Sequence, residues 1–156
     1  MPLRSAGIVL YRRTGPLAEV FLVHPGGPFW AKKDAGSWSI PKGEIAPGEA
    51  PLAAARREFV EETGDVVRGA ETLLGEFRQP GGKIVTAFAV ESDFDLAGFR
   101  SNTFEMEWPP KSGRTAAFPE ADRAGWFSLP QARLRIVRGQ LPILDALASH
   151  VLGQGP

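Results

Sequence analysis

Short apolar runs separated by turn signals occur along most of the chain, and they predict strands on either side of a charged helix. Residues 5 to 11 and 19 to 24 are rich in Val, Ile, Leu and Phe, and a Thr-Gly-Pro sequence separates them, as expected of two buried strands joined by a loop. Residues 71 to 79 and 83 to 91 flank a Pro-Gly-Gly turn and predict a hairpin. A last strand is predicted around Gly125 to Ser128.

The second strand of that hairpin is apolar on both of its faces. It contains the sequence IVTAFAV, and a strand of this kind needs cover on both sides. Two helices are predicted downstream, near residues 130 to 138 and 142 to 151, each with a proline in its first turn. The pattern therefore predicts an α/β fold in which helices cover both faces of a sheet.

The segment from Pro51 to Thr63 predicts a helix with acidic residues on one flank. Its Leu, Ala, Arg and Glu residues are strong helix formers, and proline is tolerated in a first turn. At about 100° per residue, Glu58 and Glu62 lie roughly 40° apart, and Glu61 lies roughly 60° to the other side. Three like charges at this spacing repel, and a hard divalent cation would relieve the repulsion. The alternative is a solvated acidic face with Arg57 paired to Glu61.

Residues 43 to 65 read GEIAPGEAPLAAARREFVEETGD, and this stretch resembles the box of the Nudix hydrolase family. The family pattern specifies glycine, glutamate, arginine and bulky apolar residues at fixed spacing. In this chain the matching residues are Gly43, Glu49, Arg57, Glu58, Phe59, Glu61, Glu62 and Gly64. Asp65 stands where the last apolar residue belongs. We expect this departure to be a local change after the helix, with consequences for the packing of the next strand rather than for the acidic cluster.

The resemblance implies a mixed-sheet α/β/α sandwich and a pyrophosphatase chemistry. Water would attack a phosphorus atom of a nucleoside diphosphate linked to another moiety, with Mg²⁺ or Mn²⁺ as the cofactor. The implied roles fall in or beside the box: Glu58 and Glu62 as inner metal ligands, Glu61 as a ligand or as a group just outside the ligands, the Lys42 carbonyl as a further ligand, and Arg57 and Glu49 as groups that hold the glutamates in place. Glu58 is also the expected general base.

Many members of this family supply one more carboxylate from a loop before a strand that contains tryptophan. Glu120 fits this pattern, because it lies six residues before Trp126 in FPEADRAGWFSL. We therefore expect Glu120 to approach the metal-binding glutamates. The alternatives are that Glu120 is an ordinary loop acid, or that Glu105 or Glu107 has this role instead.

Two stretches, residues 25 to 37 and 92 to 118, are predicted to be irregular. Long loops in compact domains are usually functional or mobile, so we expect substrate recognition there. The first stretch combines aromatic and basic residues, which suit a base and phosphates. The second contains two prolines and a Ser-Gly pair, and we expect a flap over the cleft. For Trp30 and Trp38, the alternative is that both rings pack on the core.

Outside the box, the sequences RSAGIVLYRR, WSIPKGE and FRQPGGKIVTAFAVE resemble the branch of the family that hydrolyses diadenosine polyphosphates. In that branch an aromatic pair would clamp adenine, and basic side chains would hold the phosphate chain. On this basis we expect substrate-binding roles for Trp38, Phe104, Lys32 and Lys83. Arg4, at the start of a predicted strand, is a further candidate for a phosphate contact. Each cation alone is more often a solvated surface residue.

The identity of the substrate stays open at this stage. A dinucleoside polyphosphate or a nucleoside triphosphate is expected first, followed by diphosphoinositol phosphates and nucleotide sugars. The alternative from another class is a catalytically inactive Nudix-fold module that binds nucleotides or regulates a partner. The intact acidic trio argues against it, because such a module would not need three repelling carboxylates on one helix.

Length, charge and composition are consistent with a single small-molecule hydrolase domain over residues 1 to 156. The chain is 43% apolar and can bury a core of its own. Eighteen basic residues balance eighteen acidic ones, so we expect neither a polynucleotide nor a membrane as partner. The chain lacks cysteine and any long apolar run, which leads us to expect a cytoplasmic protein. The resemblance implies a nucleotide-type small molecule as its substrate, and we expect a monomer or a homodimer.

Overall fold

A mixed sheet forms the centre of the structure, a computed structural model that describes residues 3 to 14 and 17 to 153. Gly15 and Pro16 of the predicted turn lie outside the described residues. The strands are β1 (Arg4–Thr14), β2 (Leu17–Pro25), β3 (Lys42–Glu44), β4 (Glu71–Arg78), β5 (Ile84–Glu91), β6 (Thr103–Glu107), β7 (Thr115–Pro119) and β8 (Ala121–Ser128). The helices are α1 (Pro51–Thr63), α2 (Leu129–Arg135) and α3 (Leu141–Gly153).

The order of strands in the main sheet is β4-β5-β1-β2-β8. Strands β1 and β5 run parallel, whereas the β1–β2, β2–β8 and β4–β5 pairs are antiparallel, so the sheet is mixed as predicted. The short strand β3 pairs with the beginning of β1, with Gly7 opposite Lys42. A Cβ on Gly7 would lie 2.7 Å from the Pro41 carbonyl oxygen, so glycine allows this close approach.

Helices cover both faces of the sheet, which confirms the predicted α/β/α sandwich. On one face, Phe59 of α1 packs with Ile8 and Phe21. On the other face, Leu144 and Leu147 of α3 pack in a second cluster with β1 and β5 residues. Successive residues of β5 contribute to the two clusters in turn, which explains why its sequence is apolar throughout. Within the described residues, no helix has the length and apolar character needed to cross a bilayer.

The predicted irregular stretch from 92 to 118 contains regular structure, so that expectation was wrong in part. A short 3-10 helix spans Leu96–Gly98, and β6 and β7 form a separate two-stranded hairpin. Phe104 lies opposite Phe118 in this hairpin, and the two side chains form a cross-strand pair. Partly buried residues alternate with exposed ones along β6, so one face of the hairpin is partly covered. Two further bounds differ from the prediction, because β8 begins at Ala121 and α2 ends at Arg135.

Helix α1 ends where the sequence predicts. Gly64 has a φ of 87° and donates its N–H to the Val60 carbonyl, as in a left-handed helix cap. Asp65 lies beyond the helix, where its carboxylate accepts bonds from Arg68. Val67, two residues later, is buried against the α1 face of the sheet. The acidic residue in the last box position is therefore a local change.

Candidate active site

Arg57 forms hydrogen bonds with three carboxylates of the box. Its Nε and Nη2 donate to the two carboxylate oxygens of Glu49 at 2.9 and 3.0 Å, a bidentate pair. Its Nη1 donates to Glu58 at 2.9 Å and more weakly to Glu61 at 3.3 to 3.4 Å, and its Nη2 also reaches the Glu44 carbonyl at 3.0 Å. The Arg57 hydrogen bonds lower the pKa of Glu49 to about 2. One guanidinium thus links three box carboxylates to the loop before the helix.

The Glu49 carboxylate fixes that loop from the other side. Its Oε1 accepts the Ala46 N–H at 3.0 Å, and the Glu49 N–H donates back to the Ala46 carbonyl at 3.0 Å. Between them Gly48 adopts a φ of 75°, a conformation that favours glycine. The loop is therefore closed on itself before it reaches α1.

Gly43 explains why the box begins with glycine. A Cβ at this position would lie 2.0 Å from Cδ of Glu58, so only glycine lets the Glu58 carboxyl lie against β3. Burial raises the pKa of Glu58, and nearby Glu61 and Glu120 add to this effect, while Arg57 opposes it. Two contacts thus set the position of Glu58. Its carboxyl group lies against the backbone of Gly43, and the guanidinium group of Arg57 donates a hydrogen bond to it.

Glu62 lies beside the backbone of Lys42. The Lys42 N–H donates to Glu62 Oε2 at 2.9 Å, so two residues that the resemblance assigns to metal binding are in direct contact. Burial raises the pKa of Glu62 to about 8, with a further contribution from Glu58. Burial also lowers the pKa of the Lys42 ammonium group. The surroundings of Glu62 therefore disfavour an ionised carboxylate that has no cation bound to it.

Glu120 comes close to the same acids. The charge of Glu120 raises the pKa of both Glu58 and Glu62, although it is not the largest cause for either. Its own pKa is raised by burial and then by Glu61. The competing residue Glu107 instead accepts the N–H groups of Lys111 and Gly113, which places it in the turn of the β6–β7 hairpin.

Backbone hydrogen bonds hold Glu120 in this place. Its N–H donates to the Asn102 carbonyl at 2.7 Å, and the Asn102 N–H donates to the Glu61 carbonyl at 2.8 Å. On the other side, the Gly26 N–H donates to the Glu120 carbonyl at 2.9 Å. Three segments, namely α1, the base of the hairpin and the loop after β2, therefore meet at Glu120.

A cleft of about 600 Å³ opens beside these acids. Its acidic and basic lining residues are Lys42, Glu62, Lys83, Glu120 and Arg138. Trp30, which is 40% exposed, contributes an aromatic wall, and Ser5, Ser37, Ser39, Gln79 and Gln140 add polar groups. The cleft has the size and mixed lining of a small-molecule site.

The structure corrects the role expected for Trp38. Its side chain is only 5% exposed, its Nε1 donates to Asp34 Oδ1 at 2.7 Å, and its ring packs 5.0 Å from that of Phe127. A ring buried in this way cannot stack on a base. The signal was present in the sequence, because Trp38 and Ile40 alternate with serines, and both side chains join the same core cluster.

Three other residues expected to bind substrate lie outside the cleft lining. Arg4 pairs with Glu76 at 3.4 Å, and Phe104 packs on Phe118 in the hairpin with a ring-centroid distance of 6.1 Å. Lys32 is exposed in the loop after β2. Lys83 does line the cleft.

Buried His24 anchors the loop that carries Trp30. Its Nδ1 is 2.8 Å from Asp122 Oδ1, and its Nε2 is 2.5 Å from the Lys33 carbonyl oxygen. Its ring also meets the Trp38 ring edge to face at 5.2 Å. Sequence spacing gives no sign of this role, since Asp122 is 98 positions away along the chain.

The donor set fits a hard divalent cation. Carboxylates and a backbone carbonyl are the ligands that Mg²⁺ prefers, and burial raises the pKa of both Glu58 and Glu62, so a cation would relieve a real electrostatic cost. Among the described residues, no three acidic, histidine or cysteine side chains are already arranged as a metal cage. In this arrangement Arg57 donates to Glu58 and Glu61, and the Lys42 N–H donates to Glu62.

The raised pKa of Glu62 predicts the pH dependence of stability without metal. An acid with a folded pKa of about 8 binds its proton more tightly in the folded state, so stability is greatest below pH 5 for this group and falls as the pH rises to 8. We expect the free energy of unfolding in a chelator to fall by on the order of a few kcal/mol over this range. Denaturant titrations at several pH values measure it.

The matched control for this prediction is Glu62→Gln, which should remove most of the decline. Adding Mg²⁺ should stabilise the wild-type protein more at pH 8 than at pH 6, because the metal competes with the proton. Equal slopes for the wild-type and variant proteins would contradict the assignment to Glu62.

The fold and the box define the family. The family model described as "NUDIX domain" matches residues 1 to 147, and the chain belongs to the Nudix family. A curated relative, the nucleoside triphosphate pyrophosphatase/Nudix hydrolase fusion protein of Bifidobacterium longum (strain NCC 2705), is 31% identical over 114 residues, which are 68% of this chain. The chain spans 23% of the length of this relative and 33% of the length of a second curated match.

Solved structures share the fold at low sequence identity. A C. elegans Ap4A hydrolase in a binary complex has a TM-score of 0.66 and 20% identity, with 96% of this chain and 98% of that chain covered. The NUDIX domain of Shewanella oneidensis NrtR, solved with ADP ribose, has a TM-score of 0.64 and 15% identity, with 97% and 89% covered. These likenesses support the sandwich architecture.

Proposed function

We propose that this chain is a divalent-metal-dependent pyrophosphohydrolase acting on a nucleotide. The observation that carries the proposal is that Glu120 lies close to the box acids and lines the cleft together with Glu62, while Arg57 forms hydrogen bonds with Glu49, Glu58 and Glu61. A fold retained only for binding would not require this arrangement of repelling acids. A single domain over residues 1 to 156, located in the reducing cytoplasm, is part of the same proposal.

Five groups would hold the cation: the carboxylates of Glu58, Glu61, Glu62 and Glu120 and the Lys42 carbonyl. Mg²⁺ or Mn²⁺ bound there would polarise phosphoryl oxygens and lower the pKa of water. Arg57 is a positioning residue, since its bonds fix the directions of Glu49, Glu58 and Glu61.

Glu58 is our choice for the general base. Arg57 occupies its Oε1, and burial raises its pKa, so the carboxylate is a better proton acceptor than an exposed glutamate. A water between Glu58 and the phosphorus would transfer its proton to Oε2 as the phosphorus–oxygen bond forms. The leaving phosphate departs with the electrons of the broken anhydride bond.

The cleft and the names of similar proteins support the substrate class that we propose. Those names refer to Ap4A, ADP ribose and nucleoside triphosphates, all of which contain a nucleoside and a phosphoric anhydride. The cleft offers the Trp30 ring and the cation Lys83 to such a molecule. We propose a dinucleoside polyphosphate or a nucleoside triphosphate as the substrate.

Phosphorus NMR of the purified protein with Mg²⁺ and a panel of nucleotides tests the proposed reaction. The panel includes diadenosine tetraphosphate, ATP, ADP ribose, a nucleotide sugar and a diphosphoinositol phosphate. New phosphate resonances that vanish in a chelator are expected for at least one nucleotide. Binding of a nucleotide with no product from any anhydride would favour the inactive binding module instead.

Glu120→Gln is expected to lower turnover by ~10-fold or more, and by more than Glu105→Gln or Glu107→Gln. The reason is that Glu120 interacts with the box acids, whereas Glu107 caps the turn of the hairpin. The two hairpin variants are matched controls, because each also replaces one glutamate by glutamine, in β6 rather than beside the box acids. Steady-state kinetics at saturating Mg²⁺ measure the order, and the reverse order would transfer this role to the hairpin.

A further inference from the structure

Strand β8 contains an extra residue close to the carboxylate that approaches the box acids. His24 of β2 pairs with Arg123, whereas the next residue, Pro25, pairs with Ala121, so Asp122 has no partner across the strand pair. An insertion of this kind is a β-bulge, and it changes the direction of the side chains that precede it relative to those that follow. Glu120 comes directly before the bulged segment.

The bulge keeps Glu120 out of the apolar core. Ala124 and Trp126 pack against the cluster that contains Phe59 of α1, and in an unbroken strand Glu120 would share their side, because alternate residues face the same way. Ala121 packs in that cluster instead and is 1% exposed. The bulge thus gives the buried position to an alanine and leaves Glu120 to line the cleft.

One ring nitrogen of His24 fixes the bulged residue. The His24 side chain is fully buried, and its Nδ1 is 2.8 Å from Asp122 Oδ1, to which it donates because a carboxylate oxygen accepts. Arg123 lies beside the pair, with Nε 3.5 Å from the same Asp122 oxygen and Nη2 3.3 Å from His24 Nε2. Loss of the Asp122 carboxylate would leave a buried donor unpaired, which is costly.

The other ring nitrogen holds the loop that carries Trp30. His24 Nε2 is 2.5 Å from the Lys33 carbonyl oxygen, and the Lys33 N–H donates to the Trp30 carbonyl at 3.0 Å. The Lys33 ammonium group lies 5.0 Å from the centre of the Trp30 ring. A single buried ring therefore contacts two segments of the cleft from outside the box, one with Glu120 and one with Trp30.

We propose that His24 is a positioning residue that couples the Glu120 carboxylate to the Trp30 loop through its two ring nitrogens. This inference rests on the proposed function, in which Glu120 faces the metal and Trp30 faces the nucleotide. Because both bonds belong to one rigid ring, they hold the two segments at a fixed relative position. The bond to Asp122 supports metal binding, and the bond to the Lys33 carbonyl supports nucleotide binding.

Two conservative variants separate the two bonds. The amide nitrogen of asparagine is attached to Cγ, as Nδ1 of histidine is, and that of glutamine is attached to Cδ, as Nε2 is. His24→Asn therefore keeps a donor for Asp122, and His24→Gln keeps a donor for the Lys33 carbonyl. Mn²⁺ affinity by electron paramagnetic resonance measures the first bond. Calorimetry at saturating Mg²⁺ with adenosine triphosphate bridged by methylene at both anhydrides measures the second.

The two variants are expected to show opposite defects. His24→Gln should weaken Mn²⁺ binding ~10-fold and leave nucleotide affinity within about twofold of wild type. His24→Asn should leave Mn²⁺ affinity within about twofold and weaken nucleotide binding roughly 3- to 10-fold, the loss expected for one hydrogen bond. The same pair of losses in both variants, or no loss in either, would overturn the proposal.

Asp122→Ala tests the bond to the bulge without changing the buried ring. The Asp122 side chain is 29% exposed, and its removal should weaken Mn²⁺ binding ~10-fold, whereas Asp122→Asn keeps an acceptor for Nδ1 and should restore most of the affinity. Asp145→Ala is the matched control, because it removes an exposed carboxylate that pairs with Arg133, and neither residue lines the cleft. In a Glu120→Gln background, Asp122→Ala should weaken Mn²⁺ binding little further. Additive losses would overturn the link to Glu120.

The two proposals fail in different ways. If the wild-type protein hydrolyses no nucleotide, the proposed function is wrong, and the Mn²⁺ and nucleotide affinities still decide whether His24 couples the two segments. If the protein hydrolyses nucleotides but both His24 variants match the wild-type protein in both affinities, the function stands and the coupling is wrong.

Discussion

Glu58→Gln is expected to lower kcat by ~10² to 10⁴ if the carboxylate is lost only as a base, and by more if metal binding is lost as well. Glutamine retains the size of glutamate, so Gly43 still accommodates the side chain. It cannot accept the proton of the attacking water, and it weakens the charge-assisted bond from Arg57. The loss should therefore appear in turnover with little effect on nucleotide binding.

Steady-state kinetics and thermal denaturation of the same samples separate a chemical effect from a folding effect. Glu44→Gln is the matched control, because Glu44 lies in the same segment, its side chain is exposed, and only its carbonyl contacts Arg57. The control should retain wild-type turnover. Activity of the Glu58 variant within a few-fold of wild type would remove this residue from the role of base.

The acidic helix could be predicted from the sequence because the residues that determine it are close to one another along the chain. Thirteen residues, a proline at one end and a glycine at the other fix α1, and the 3.6-residue repeat fixes which acids share a flank. The bond of Arg57 to Glu61 spans four positions, so helical spacing indicates it, whereas spacing gives no indication of the bond to the adjacent Glu58. From the sequence, Arg57 and Glu61 could form a pair on a solvated acidic face or belong to a metal-binding cluster. The structure shows the pair as part of the group in which Arg57 also contacts Glu49 and Glu58.

The choice between Trp30 and Trp38 could not be made from composition. Both rings lie near lysines in one stretch, but only Trp38 follows the two-residue alternation that leads into the core. Trp30 remains at the surface because the loop around it is anchored through His24, and that contact depends on Asp122 of a distant strand. The alternation in the sequence thus indicates that Trp38 is buried, whereas the position of Trp30 at the cleft depends on a tertiary contact.

Arg138 could not be predicted for a similar reason. Its turn follows α2, and it is held at the cleft by contacts with distant segments, among them the bond from Gln79 to the Gly139 carbonyl. These two residues are 60 positions apart. The β6–β7 hairpin was missed because its prolines and glycine lie in the turn, while five-residue strands give short alternating patterns.

Gly43→Ala offers a test of site geometry that leaves every charged residue of the cluster in place. The new Cβ would overlap the Glu58 carboxyl, which lies at the end of a flexible side chain, so the side chain can rotate away without unfolding β3. The variant should therefore keep the stability of the wild-type protein to within about 1 kcal/mol. Its kcat should nevertheless fall by ~10²-fold, because a displacement of about 1 Å at a reacting group has this effect.

A double-variant cycle shows whether the loss acts through Glu58. If Gly43→Ala works by displacing that carboxyl, it should lower kcat little further in a Glu58→Gln background, since the two changes remove the same contribution. Gly98→Ala is the control for adding a methyl group, because no atom lies within 4 Å of the position that its new methyl group would occupy, and its φ is unexceptional. If the two losses of kcat were fully additive, Gly43 would act through β3 or through the substrate. Its contact with Glu58 would then not determine the position of the general base.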